Sequence, residues 1–115
     1  MSLLYYMDHH VPIDITLGLR ARGVDCLFLE EDGTKRWADQ PLLIRSTQLN
    51  PVMVSLDRDL FNIATQWIRE GMEFSGLVYG HQLRLTIGQA IRDLEIVAQV
   101  MQPEEMRNSI QRIPL

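Results

Sequence analysis

The 115-residue chain has a single cysteine, Cys26, and a single lysine, Lys35. One cysteine forms no internal disulfide, which fits a reducing cytoplasm, and within an apolar run Cys26 reads as a small core residue. No apolar run approaches the ~20 residues of a membrane span, and the N-terminus lacks the basic region and cleavage site of a secretory leader. Positive charge is also scarce. Eleven basic against fifteen acidic residues give a formal net charge of −4, which excludes a general, charge-driven nucleic-acid binder. It does not exclude a nuclease, because a metal-binding carboxylate cluster is itself negative. Ten of the basic residues are arginines, whose planar fork suits phosphate. Internal repeats, low-complexity segments and linkers are missing too, so residues 1–115 read as one domain with one core.

What the chain does have is alternation. Leu3 to Met7, Val24 to Leu29, Val52 to Leu56 and Gly76 to Tyr79 read as strands, and Ser109 to Ile113 as a short final one. Between them lie helical patterns. The first follows Pro12 and stops at Gly23. The second begins at Asp39, a suitable N-cap, and ends before Asn50-Pro51. The third runs from the Asp57 region to Gly71, and the longest runs from Thr86 to Met101. Glu30 to Trp37 reads as a polar loop, with Glu30, Glu31 and Asp32 solvated. This alternation predicts an α/β fold: a three-layer α/β/α sandwich around a central, mainly parallel sheet of four to five strands.

The chemistry concentrates where strands end. Leu3 to Met7 runs into Asp8, His9 and His10, and Val52 to Leu56 runs into Asp57, Arg58 and Asp59. In open α/β sheets the carboxyl edge of the strands is where ligands bind. If these two strands are parallel neighbours, Asp8, Asp57 and Asp59 converge, and converging carboxylates repel unless a cation sits among them. Oxygen-only sites of this kind suit Mg2+ or Mn2+.

The order and spacing of these segments resemble the small PIN-like proteins. Tyr6-Met7-Asp8-His9-His10-Val11-Pro12 is similar to their opening, an apolar strand followed by aspartate, glutamate, asparagine, an apolar residue and proline. Val54-Ser55-Leu56-Asp57-Arg58-Asp59-Leu60-Phe61 resembles their second signature, and Ala38-Asp39-Gln40 a third. Leu19-Arg20-Ala21-Arg22-Gly23-Val24-Asp25 is similar to their first helix and the glycine that closes it. The resemblance covers Leu3 to about Met101. It implies a parallel α/β/α sandwich and a metal-dependent ribonuclease, in many bacterial members the toxin of a toxin–antitoxin pair. It implies that Asp8, Asp39, Asp57 and Asp59 hold Mg2+ or Mn2+ and serve catalysis. The expected partners are an RNA substrate and an antitoxin protein encoded by a neighbouring gene, with no membrane; the assembly is left open, a homodimer among the options. The departure is His9-His10, which stands where the family commonly has glutamate and asparagine. It removes a carboxylate and adds imidazole, which tilts metal preference toward manganese.

Each of these residues also has a plainer role. Asp8, Asp39, Asp57 and Asp59 can each cap a helix. Adjacent His9 and His10 point to opposite sides of a regular strand, so one of them at most faces the site. Arg58, Lys35, Arg36 and His81 are weaker candidates for a substrate phosphate; Arg58 can instead pair with its flanking aspartates, and Glu30 is a reserve candidate for the cluster. Two functional alternatives follow. One is a non-catalytic PIN-like binding module that has lost part of the metal site. The other is a phosphate-transfer protein of the receiver type, which needs a lysine after a late strand and finds only Lys35, misplaced for that role.

Overall fold

The computed structural model describes residues 3–115. Five strands, β1 (Tyr5–Met7), β2 (Cys26–Phe28), β3 (Val52–Ser55), β4 (Leu77–Gly80) and β5 (Ile110–Ile113), form one sheet in the order β2-β1-β3-β4-β5. Every neighbouring pair is parallel. The helices between them are α1 (Ile13–Ala21), α2 (Leu29–Asp32), α3 (Asp39–Leu49), α4 (Arg58–Glu70), α5 (Ile87–Val100) and α6 (Pro103–Met106). A parallel connection must cross over a face of the sheet, so the longer helices cover both faces. The result is the expected three-layer sandwich.

Alternation along each strand divides the core in two. On one face Tyr5, Met7, Val52, Val54 and Val78 pack with Ile15 and Leu19 of α1 and Ala90, Leu94 and Val97 of α5. On the other, Tyr6, Met53, Leu77 and Tyr79 pack with Leu42 and Leu43 of α3 and Leu60, Ala64 and Trp67 of α4. The strand cores are apolar on both faces, as strands buried on both sides require. Among the described residues no helix is long and apolar enough to cross a membrane.

β1 and β3 are direct neighbours, with Tyr5 opposite Val52 and Met7 opposite Val54. The chain leaves β1 toward β2 on one side and β3 toward β4 on the other. The crevice between β1 and β3 at their carboxyl ends is therefore the topological switch point, the place where open α/β sheets bind ligands.

The segment from Glu30 to Asp32 is a helical turn rather than a loop; Glu30 and Glu31 are exposed as expected, and Asp32 is not. Leu29–Asp32 forms one helical turn, because the Glu31 carboxylate reaches back to accept from the Phe28 amide at 3.1 Å. Gly33 closes that turn at φ 74°, a left-handed conformation in which glycine is unstrained. Asp32 accepts from Arg45 of α3 through two bonds, 3.0 and 2.9 Å long. This fork–fork pair holds its carboxyl below the usual carboxylate range. The Tyr6 hydroxyl, on the fully buried β1, donates to Asp32 at 2.6 Å and lies 2.5 Å from the hydroxyl of buried Thr34. Burial pushes the Tyr6 phenol up to about 12, so it stays a neutral donor. The loop after β2 is thus tied to the central strand.

Tyr6→Phe tests that tie. It strips both Asp32 and Thr34 of a partner in a buried setting, and is expected to cost about 1–3 kcal/mol in urea unfolding. A loss within about 0.5 kcal/mol, the size of an ordinary surface change, means the phenol does not anchor the loop.

Candidate metal centre at the switch point

Three elements deliver the four carboxylates: the end of β1 and the starts of α3 and α4. Asp8 follows β1 directly, and its amide donates to the Val54 carbonyl at 2.9 Å, extending the β1–β3 pairing by one residue. Asp57 is the N-cap of α4, where its Oδ1 accepts from the Asp59 amide at 2.9 Å. Asp59 sits in the first turn of α4 and is exposed. Asp39 was expected to cap α3, but Ala38 holds that position and makes no side-chain cap bond. Asp39 is instead the first residue of the helix, and capping does not account for its carboxylate. One carboxylate oxygen from each of Asp39, Asp57 and Asp59 lies within 4.8 Å of the others.

Asp8 stands apart from this trio. It is 2% exposed, and both of its oxygens are engaged. Oδ1 accepts from the His9 amide at 2.8 Å and lies 3.0 Å from the His9 ring nitrogen Nδ1. Oδ2 accepts from the Ser55 hydroxyl at 2.8 Å. Ser55 in turn accepts from the Asp57 amide at 3.0 Å, so one hydroxyl joins Asp8 to Asp57 across the β1–β3 seam. The sequence reading missed Ser55. The available signal was a lone hydroxyl in an otherwise apolar strand, on the same pleat side as the strand-end aspartate of its neighbour.

The two histidines correct another expectation. Both face the carboxylates: His10 Nε2 lies 3.7 Å from Asp57 Oδ2, and the two imidazole rings are 4.1 Å apart. Strand alternation does not apply to them, because β1 ends at Met7 and both residues lie in the turn beyond.

Of the weaker candidates, Arg58 and His81 line a cleft of about 400 Å³ with His10, Asp57 and Tyr79. Arg58 is exposed and makes no ion pair with Asp57 or Asp59 among the described residues. His81 caps a 3₁₀ turn, Gln82–Arg84, with Nδ1 accepting from the Leu83 amide at 3.2 Å. Lys35 pairs with Glu30 at 3.2 Å, which occupies the reserve carboxylate away from the trio. Lys35 and Glu30 line a second cleft of about 270 Å³, on the β2 side, together with Asp8, His9 and His10. Arg36 lies further out, in a surface hollow with Trp37.

The donor set fits a hard divalent cation. Three carboxylate oxygens within 4.8 Å of one another make an oxygen-only donor set of the kind that Mg2+ and Mn2+ take. The electrostatics agree. Burial and then the negative charges of Asp8 and Asp57 raise the Asp39 carboxyl above its ordinary value, with Asp59 adding to the effect and His9 opposing it. A cation relieves that repulsion. No family model, curated protein or solved structure matches the chain.

Asp39 gives a pH test. A carboxyl raised in the folded state takes up its proton before the unfolded chain does, so metal-free stability rises as pH falls through that raised value toward the unfolded pKa of about 3.9. Asp39→Asn is expected to flatten this acid-side rise and to melt level with or above the wild type at pH 7 without metal. A variant melting lower at pH 7, with the acid-side rise intact, removes Asp39 from the cluster.

Proposed function

We propose that the chain is a metal-dependent ribonuclease of the PIN-like class that hydrolyses RNA phosphodiesters at the β1–β3 switch point. The observation that carries this reading is the meeting of Asp39, Asp57 and Asp59, from two helix starts, at the edge where parallel sheets bind ligands. The sequence resemblance supports it from a separate direction, since these residues stand where the PIN-like pattern has its acids. Asp39, Asp57 and Asp59 would hold Mg2+ or Mn2+. Asp8 and Ser55 would orient the site from behind, Asp8 through its bond to Ser55 and Ser55 through its bond to the Asp57 amide. The bound cation supplies an acidified water and charge neutralisation at the scissile phosphate. Arg58, with its five donors on the cleft wall beside Asp57, is suited to a neighbouring phosphate oxygen. The toxin role and the antitoxin partner belong to the same proposal and rest on the resemblance alone.

One observation favours the alternative, a binding module without catalysis. Both oxygens of Asp8 are already engaged, one of them by the histidine that departs from the family pattern. In that case Asp57 serves as the cap of α4, Asp8 as a buried hydrogen-bond acceptor, and the edge binds a partner.

Asp57→Asn separates the two. Asparagine caps about as well as aspartate, so the fold survives while the charge is lost. A nuclease loses orders of magnitude of manganese-dependent cleavage of single-stranded RNA. It also loses most of the rise in melting temperature that a divalent ion confers by binding the folded state alone. Wild-type protein that cleaves no RNA with any divalent ion and whose melting temperature no divalent ion raises, with Asp57→Asn melting level with it, leaves Asp57 as a cap and the binding module in place.

A further inference from the structure

The loop between α2 and α3 carries Lys35-Arg36-Trp37, and Trp37 is 44% exposed. The other tryptophan, Trp67, is 5% exposed and belongs to the core. A large exposed aromatic gains little for stability. Yet the backbone of the loop that presents Trp37 is ordered: the Trp37 amide donates to the Thr34 carbonyl at 2.9 Å, and the Thr34 side chain is buried against the Tyr6 hydroxyl. A loop whose backbone is ordered in this way presents its aromatic to a ligand at a lower entropic cost than a free loop would.

The charges around it say what kind. The three acids of the preceding turn each have a cation: Glu30 has Lys35, Glu31 has Arg20 and Asp32 has Arg45. Arg36 is exposed and has no ion pair among the described residues. The Lys35–Glu30 pair is open to solvent, with side chains 64% and 59% exposed, so an anionic ligand readily displaces it. Lys35 lines both the hollow beneath Trp37 and the cleft that reaches Asp8 and His9, and Asp39 of the carboxylate trio follows Trp37 by two residues. An aromatic face flanked by cations, continuous with the switch point, matches how single strands are held: bases stack on the ring and cations track the backbone.

We propose that Trp37 is a stacking platform for an unpaired base of single-stranded RNA, with Arg36 and Lys35 on the adjoining phosphates. This rests on the ribonuclease reading for its choice of ligand, and it places the strand on the β2 side of the carboxylates. A protein partner would also use an exposed tryptophan, but the surplus cation beside it favours a polyanion.

Trp37 reports on itself. A single-stranded RNA decamer is titrated against the full chain in Ca2+, which fills carboxylate sites with looser geometry than the smaller ions. The fluorescence of exposed Trp37 should be quenched over a constant background from buried Trp67, and the anisotropy of a dye on the decamer reads binding by the variants that lack Trp37. Trp37→Leu should weaken binding about tenfold or more, the scale of one lost base stack, while Trp37→Tyr keeps most of the affinity. Arg36→Gln should lower the salt slope of log affinity by about 0.7, one phosphate on a single strand. The manganese-induced rise in melting temperature should be the same in Trp37→Leu as in wild type, which shows that the fold and the trio are intact. Cleavage by the wild type without quenching, and with Trp37→Leu binding RNA normally, overturns the platform and leaves the nuclease standing. Quenching that depends on Trp37, in a protein that cleaves nothing, keeps the platform and removes the nuclease. Wild-type protein that binds no RNA overturns both, and burial of Trp37 in a protein complex with RNA affinity unaffected by its loss makes the loop a protein-docking site instead.

Discussion

Everything at the candidate site depends on the parallel pairing of β1 with β3. That seam carries the amide of Asp8 onto the carbonyl of Val54 and sets Ser55 beside the Asp8 carboxylate. Because side chains alternate along a strand, a slip of one residue would turn Ser55 and Asp8 to opposite faces. The register is secured by the two cores it separates. Tyr6 and Met53 belong to one face, and Tyr5, Met7, Val52 and Val54 to the other, all nearly fully buried. A slipped strand would exchange the contents of both cores at once.

The carboxylates oppose this arrangement. Three of them share a small volume, with a fourth buried behind, and the Asp39 carboxyl is lifted by its burial first and by the charges of these neighbours second. The fold offsets it with hydrogen bonds rather than with salt bridges to lysine or arginine. Asp57 takes a helix amide, and Asp8 takes a serine hydroxyl, a backbone amide and an imidazole. Such partners orient a carboxylate without cancelling its charge. That differs from Asp32, which a bidentate arginine neutralises. The structure therefore holds two kinds of acid: those paired with lysine or arginine around α2, and those at the switch point that have neither among the described residues.

The Tyr6 network links the two. One phenol on the central strand bonds the neutralised Asp32 and the buried Thr34, and through Thr34 it steadies the loop that leads into Asp39. A site assembled from two helix starts and a strand end needs its loops held, because an error of about 1 Å in a charged group changes its interactions substantially.

The sequence by itself determined the class of fold and most of the acids. Apolar runs of strand length, each followed by a helical period closed by Gly23, Asn50 or Gly71, lead to a parallel sandwich whatever the order of the strands. These are local signals, and the physics behind them acts over a few residues. Ser55, the free carboxylate of Asp39 and the common orientation of His9 and His10 were not legible in the same way. Ser55 matters only because β1 lies beside β3, and Asp39 only because α3 starts one residue earlier than its capping pattern indicates. The histidines matter because the strand stops short of them and alternation lapses. Tertiary structure decided these points, because hydrogen bonds and charges act between groups near in space, and a distance of 47 residues from Asp8 to Ser55 closes only when the sheet forms.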